Sequence, residues 1–575
     1  MAAVTATSQS AANPDAPPPA DIAPPTGEGT GRKRWFALGF LSFGVAIVMI
    51  DATIVNVAIP QISRDLTLTP ADIEWVNSIY SLVFASLLIT MGKAGDVVGR
   101  RLMFVLGATL FLVSSVIAAR SQSGEVLIFG RFIQGIGGAM MIPASLSLLN
   151  AMFRGKDRAI AFAVWGATIG SVAAIGPLLG GFLTTEYSWR WAFLINLPIA
   201  VIGITGTLLL VPESKDPDAR RGLDIVGILT SAFGLGALVF GLIEGQRYGW
   251  WSPLGEPRIG AFHWTSSAIS PVPVAFVLSA VLLLTFVRVE GRRAAADKVV
   301  LLDLELFRIR SFAWGQVVGL VIMFGEFGIL LTIPLFLQNV LGYTAIHAGA
   351  TLVFVMVGAL ISTPPSGRLV GRFGAIRVVR IGLVLEVLAM VGLGFAYSVH
   401  ANTWHFAPWL VLFGMGVGLS TAQVTNVILR DVPITKSGQA SGTQSTSRQL
   451  GTALGVAVLG AVLWLSLGNI LSTNLKTEPG VTPAQADRIT SVVVNSSGTA
   501  LAGLRANPQT ASVAATADKA YAESTARATW VGSAFLLVGF AGTFRMNTRT
   551  AAGRREEEEE AAAEAAALPT TAAAS

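Results

Sequence analysis

The chain has 575 residues, 53% of them hydrophobic and only 13% charged, and a mean hydropathy of +0.64. No soluble domain of this length has that balance, so the composition requires an integral membrane protein. The net charge of +6 does not mark a nucleic-acid binder, because the basic residues fall in short loops between apolar runs. The absence of cysteine excludes disulfides and thiolate chemistry, and His263, His347, His400 and His405 lack metal-ligand spacing, so neither a metal nor a cofactor is expected.

Residues 1–34 are rich in Pro and Ala and read as a disordered N-terminal tail. The apolar run that follows is too long for the core of a signal peptide and reads as a retained helix. Fourteen membrane-spanning helices are predicted, at about 36–59, 73–91, 102–119, 126–150, 159–184, 191–211, 223–244, 270–288, 312–337, 346–367, 377–397, 404–428, 439–467 and 526–545. An even number puts both termini on one side. Placing that side inside assigns 29 of the 40 Lys and Arg, Arg448 among them, to cytoplasmic segments. The short outer loops then hold five, so the positive-inside rule makes both termini cytoplasmic. The organisation expected is an all-α integral membrane protein. It has a six-helix bundle at 35–211, two linking helices with loops at 212–311, and a second six-helix bundle at 312–545. The second bundle carries a long extracellular loop at about 469–525, which could hold a short helix. A cytoplasmic acidic, Ala-rich tail closes the chain at 546–575, and its charge run is most simply a solvated face.

Four observations nominate functional residues. First, Arg131 interrupts an apolar, glycine-rich helix, where charge costs about 3 kcal/mol on insertion scales. Arg131, Gln134, Gly135 and Gly138 share one helical face. Arg131 either carries a task or pins helices together. Second, Asp51 is the only acid deep in the first helix, and a desolvated carboxyl there is the leading proton carrier; the alternative is a structural polar contact. Third, residues 92–99 (GKAGDVVG) and 367–374 (GRLVGRFG) match at an offset of 275, which carries Asp51 onto Glu326. Internal repeats build many transporters, with the substrate site between them near mid-membrane. Glu326 is therefore a second candidate, for the proton or for a positive charge on a substrate. Glu386 ranks lower, and Asp224 and Glu244, at the ends of a linking helix, read as interfacial. Fourth, Trp75, Asn77, Tyr80, Gln134 and Trp165, with Glu326, could line a cavity for flat lipophilic molecules, although the aromatic residues suit an interface belt equally well.

These residues sit in motifs that resemble the major facilitator superfamily, in particular its fourteen-helix drug:proton antiporter group. The matching stretches are DATIVNVAIP (51–60), GKAGDVVGRR (92–101), RFIQGIGGA (131–139), GPLLGG (176–181), WRWAFLINLP (189–198) and PLFLQNVLGY (334–343). The resemblance covers nearly all of residues 36–545. It implies two pseudo-symmetric six-helix bundles joined by two linking helices. The implied activity is export of lipophilic, cationic drugs or toxic compounds across the bacterial plasma membrane, driven by a proton gradient and performed by a monomer in contact with lipid. The same fold could instead export one self-made antibiotic or lipid. The resemblance gives Asp51, Arg131 and Glu326 to proton coupling. Gly92, Asp96, Gly99, Arg100 and Arg101 become a conformational latch, and Gly176, Pro177, Gly180 and Gly181 the antiporter motif. Two departures stand out: Val172 replaces a glycine usual in that motif, and Gly371 stands where the first repeat has Asp96. No GxxxxGK[ST] motif supports ATP-driven transport, and no buried Ser/His or metal cluster suggests an enzyme.

Overall fold

The computed structural model describes residues 28–546, except 218–221, 223, 255–257, 260–261 and 265–267. Most of the N-terminal tail and the acidic tail beyond Met546 lie outside the described residues, as does the side chain of Pro177. The first half contains α1 (Glu28–Asp65), α2 (Pro70–Val98), α3 (Arg100–Ala119), α4 (Gly124–Met152), α5 (Gly155–Glu186), α6 (Trp191–Leu194) and α7 (Asn196–Leu210). Two linking helices follow, α8 (Ile225–Tyr248) and α9 (Pro271–Ala295). The second half contains α10 (Arg310–Asn339), α11 (Ala345–Phe373), α12 (Ala375–Ala396), α13 (Thr403–Arg430), α14 (Ser437–Lys476), α15 (Pro483–Asn495), α16 (Ala500–Ala506) and α17 (Ala511–Gly542). Between α8 and α9 two dipeptide strands, β1 (Arg258–Ile259) and β2 (Phe262–His263), pair antiparallel, with Ile259 opposite Phe262.

Among the described residues, twelve helices are long and apolar enough to cross a membrane, α6 and α7 together forming one of them. The other two of the fourteen expected, α5 and α17, are each 32 residues long, about 48 Å at 1.5 Å per residue. Helix starts follow local chemistry. Thr69 and Asn402 close capping boxes on α2 and α13, Ser123 caps α4, and Thr344 caps α11. Gly99 and Gly374 end α2 and α11 with φ of 127° and 82°, in the region that favours glycine.

The repeat is visible in the elements themselves. α11 and α12 begin 275 residues after α2 and α3. The packing repeats with them: α1 lies on α5 as α10 lies on α14, α2 on α4 as α11 on α13, α3 on α4 as α12 on α13, and α1 on α7 as α10 on α17. The halves meet through another symmetric pair, α2 against α14 and α11 against α5.

One reading changes. The loop expected at 469–525 is largely helical: α14 runs on to Lys476, α15 and α16 follow, and α17 starts at Ala511. Asp224 and Glu244, at the two ends of α8, are buried within the protein, at 3% and 4% exposure. Asp224 pairs with Arg293 at 3.0 Å, and Glu244 accepts a 2.7 Å hydrogen bond from Ser78 of α2. The reason is that α8 packs against α9 at the Asp224 end and against α2 at the Glu244 end, and it contacts α14 as well. It reaches the second half too, where Gln246 donates to the Ala457 carbonyl at 3.2 Å.

Candidate functional site

Asp51 and Arg131, 80 residues apart in sequence, form an ion pair sealed inside the first half, Asp51 fully buried and Arg131 2% exposed. Arg131 Nη1 donates to Asp51 Oδ2 and, at 2.9 Å, to Gln134 Oε1, while its Nε donates to the Val76 carbonyl at 3.2 Å. The other carboxylate oxygen, Oδ1, accepts from Gln134 Nε2 at 3.0 Å and from Asn196 Nδ2 at 3.1 Å. Both amides also donate to Ser115 Oγ, at 2.9 and 3.2 Å. The guanidinium lies 4.5 Å from the centre of the Tyr80 ring, which its own hydroxyl anchors to the Val48 carbonyl. Five helices thus supply one polar cluster, and a buried charge pair with both carboxylate oxygens hydrogen-bonded is the arrangement a low-dielectric interior tolerates. Asn196 Oδ1 alone is left without a partner. Ser115 and Asn196 were not nominated from sequence; the signal available was a lone amide at the head of an apolar helix, in the INLP stretch.

The repeat partner of Asp51 has a different setting. Glu326 is 7% exposed and accepts a 2.5 Å hydrogen bond from Thr421 Oγ1. Glu386, fully buried one helix away, accepts from Ser420 Oγ. Beside Glu326, Met323 and Phe327 line a cavity between the halves, closed on the other side by Met49, Phe84 and Trp165. It encloses about 50 Å³ in this conformation, room for water rather than for a drug-sized molecule. Of the residues read as cavity-lining, Trp165 borders it and Glu326 does not, although Met323 and Phe327 on either side of it do, while Tyr80 and Gln134 belong to the Asp51 cluster. Trp75 is partly buried with its indole N–H unpaired, Asn77 is exposed, and neither borders the cavity. Arg448, assigned from sequence to a cytoplasmic segment, lies on the cavity wall instead. It stands eleven residues into α14, about 16 Å along the helix from its start.

At the end of the bundle that carries the basic loops, Asp96 is completely buried and reaches across the halves. It accepts from Arg100 Nη2 at 2.8 Å, and from the backbone N–H groups of Gly438 and Gln439 at 2.7 and 3.0 Å, which are the free donors at the N-terminus of α14. Arg100 continues to the Ile434 carbonyl at 2.6 Å and Ser214 Oγ at 2.7 Å. Arg101 reaches only the Val211 carbonyl and Glu213, both following α7. A Cβ on Gly92 would lie 2.4 Å from the Gly438 carbonyl oxygen and 2.9 Å from Gly442 Cα, so only glycine lets α2 and α14 touch. Ser147 and Asn150 of α4 add bonds to Ser437 at 3.2 Å each, and Arg158 binds Asn426 at 3.0 Å. Among the described residues, the direct hydrogen bonds between the halves lie at this end. The loop after α9 joins in: Asp303 takes a hydrogen bond from Lys436, and its N–H donates to Gln439 Oε1 at 2.8 Å. Burial works to raise the Asp303 carboxyl, but the Lys436 hydrogen bond, the Glu305 N–H and the charges of Lys436 and Lys93 hold it below the usual carboxylate range.

Gly176 and Gly180 form the face on which α5 crosses α1. A Cβ at Gly176 would fall 1.8 Å from Thr53 Oγ1, and one at Gly180 2.9 Å from Ile54 Cγ1. Gly181 instead faces Ile346 of α11 at ordinary contact distance. Gly176→Ala should therefore destabilise the protein by roughly 1–3 kcal/mol of overpacking. Thermal unfolding in detergent checks this, and adding Thr53→Ala should restore most of the loss.

Two pseudo-symmetric bundles of membrane helices, with a cavity between them and a hydrogen-bonded gate at one end, define a multi-pass membrane transporter. Relatives specify which kind. The Major Facilitator Superfamily model matches residues 41–224 and 217–456, and the chain belongs to that family. It is 34% identical over 473 residues to the "Probable actinorhodin transporter" of Streptomyces coelicolor, covering 80% of this chain and 78% of the relative. It is also 34% identical over 438 residues to "Multidrug resistance protein Stp" of Mycobacterium tuberculosis, covering 76% and 77%. Among solved structures, the human organic anion transporter MFSD10 (TETRAN) superposes with a TM-score of 0.53 at 13% identity, covering 90% of this chain and 99% of that one. This last likeness speaks to the fold. The protein is thus a multi-pass protein of the plasma membrane.

Proposed function

We propose that this transporter exports lipophilic drugs or toxic compounds from the cytoplasm in exchange for protons. The observation that carries the reading is the asymmetric pair of repeat-related carboxylates: Asp51 locked to Arg131, and Glu326 held by Thr421 between Met323 and Phe327, which line the cavity between the halves. A proton on either carboxylate changes which contacts it makes, and so can bias two arrangements of the halves. Residues 35–211 and 312–545 are the rocking bundles, and 212–311 the linkage. Both termini face the cytoplasm, which makes the basic end the cytoplasmic gate and the conformation described here the one closed on that side. The names of the two bacterial relatives, one a drug-resistance protein and one a transporter of a named compound, support export as the direction. The chain is read as a carrier acting as a monomer, with no cofactor and no catalytic chemistry of its own.

The test loads proteoliposomes with a fluorescent cargo and imposes a pH gradient. Export that follows the gradient supports the proposal, and a rate indifferent to it removes the coupling. In the same assay Glu326→Gln should lower gradient-driven export by roughly tenfold, the scale of a lost charge-assisted hydrogen bond.

A further inference from the structure

We infer that Arg448 is a mobile counter-charge that links cargo to proton, and that the cargo class is flat aromatic molecules that compete with it for the face of Trp165. The inference rests on the proposed antiport.

Arg448 lines the cavity with its guanidinium 5.6 Å from the centre of the Trp165 ring. Among the described residues it has no ion pair and no hydrogen bond, although a guanidinium carries five donors. An unpaired cation at this depth is costly unless it has somewhere to go. The indole that supports it is rigid, since Trp165 is fully buried and its Nε1 donates to Ser145 Oγ at 3.2 Å. The second seat is Glu326. Arg448 shares the cavity wall with Met323 and Phe327, which flank Glu326 on α10, and the guanidinium and the carboxylate are beyond ion-pair distance in this conformation. The helices bearing them are in backbone contact: a Cβ on Gly451 would sit 2.2 Å from the Leu320 carbonyl oxygen, and one on Gly455 2.3 Å from that of Phe324. The guanidinium sits at the end of a long, flexible side chain, so it can swing along this cavity wall as the halves move. The other ionisable group facing Glu326 is Glu386 of α12, which is fully buried and accepts from Ser420 Oγ.

The two seats give exchange the right sign. A flat aromatic cargo that stacks on Trp165 displaces the guanidinium toward Glu326. There the cation favours the carboxylate, so the carboxyl O–H breaks and the proton passes to water in the cavity. A proton arriving on Glu326 from the far side removes the carboxylate. The guanidinium returns to the indole face, and the stacked cargo leaves. Stacking recognises a π-face rather than a particular pattern of hydrogen bonds, so the cargo need carry no charge. Because the cavity is tight in this conformation, loading belongs to a wider arrangement of the halves.

The experiment uses the purified full-length protein in weakly buffered detergent, with a pH-indicator dye and Nile red as a neutral flat probe. A cationic probe could expel the proton from Glu326 directly, and a neutral one cannot. Wild type should release protons as Nile red binds. Arg448→Gln should bind Nile red at least as tightly, because the competitor on Trp165 is gone, while releasing roughly tenfold fewer protons per probe bound. Arg448→Lys, which keeps the charge but loses the flat fork, should fall between them, and Trp165→Leu should weaken binding. Proton release by Arg448→Gln equal to that of wild type overturns the role of Arg448, and unchanged binding in Trp165→Leu overturns the stacking site. No proton release from wild type itself would instead remove the antiport reading beneath both.

Discussion

Replacing Asp96 with alanine is expected to release the gate at the basic end of the bundle. In the closed arrangement Asp96 answers a guanidinium that is 1% exposed and two backbone N–H groups at the start of α14. Removing it leaves Arg100 as a buried charge held only by the Ile434 carbonyl and Ser214, and breaking a buried pair in this way costs about 3–5 kcal/mol. The penalty falls on the closed state, because parting the halves lets water reach Arg100 and the end of α14. A bias of that size moves a two-state equilibrium by more than about a hundredfold. The natural absence of cysteine makes the measurement direct. Cysteines introduced by Ser147→Cys and Ser437→Cys, at residues whose hydroxyl and carbonyl now lie 3.2 Å apart, should cross-link readily in an otherwise unaltered protein. In the Asp96→Ala background cross-linking should slow by at least tenfold, and Asp96→Asn should be milder because an amide oxygen still accepts one bond. Equal cross-linking in all three would mean that the α2–α14 contact, not the carboxylate, holds the gate.

The parts of this architecture legible in the sequence are those set by local rules. Helix positions follow from apolar length. The repeat follows from two glycine-bounded loops, and the starts of α11 and α12 keep its 275-residue offset. Asp51 and Arg131 stand out because charge inside an apolar run is expensive whatever surrounds it, and Asp96 through the loop motif at 92–101. What one sequence cannot show is which of those charges meet. Nothing in the run 126–150 says that Arg131 turns toward Asp51 rather than toward Glu326 or lipid. The gaps have the same origin. Asp224 and Glu244 stand at the ends of α8, and position along the helix does not show that Asp224 meets Arg293 of α9 or that Glu244 meets Ser78 of α2. Arg448 counts as one more cytoplasmic cation, although it falls within the helix expected at 439–467, because the polar stretch 437–447 precedes it. That stretch is helical from its first residue and mostly buried between the halves, so the helix carries Arg448 inward to the cavity. Tyr80 and Gln134 have the composition of a binding surface but are spent on orienting Asp51.

Asp51→Asn and Arg131→Leu should have sharply different consequences, although each removes one member of the same pair. The asparagine keeps the shape of the carboxylate and a carbonyl for the guanidinium. Arg131 also retains the Val76 carbonyl, Gln134 Oε1 and the Tyr80 ring, so folding should survive. What is lost is the group that takes up and gives off a proton. Gradient-driven export should fall by at least about a hundredfold, or some 2.7 kcal/mol, while downhill movement of the same cargo without a gradient persists. Arg131→Leu leaves a fully buried carboxylate with only the Gln134 and Asn196 amides to answer it, at a cost of about 3–5 kcal/mol. Its expected signature is a lowered unfolding temperature in detergent and poor yield rather than a clean loss of coupling. Adding Asp51→Asn to Arg131→Leu should recover much of that stability without recovering transport. The non-additivity measures the pair itself, independent of either residue's other contacts. A double variant no more stable than Arg131→Leu would show that the arginine serves the Val76 and Tyr80 contacts and not the carboxylate. Gradient-driven export retained in Asp51→Asn would move proton coupling wholly to Glu326 and leave the Asp51–Arg131 pair a structural pin between α1 and α4.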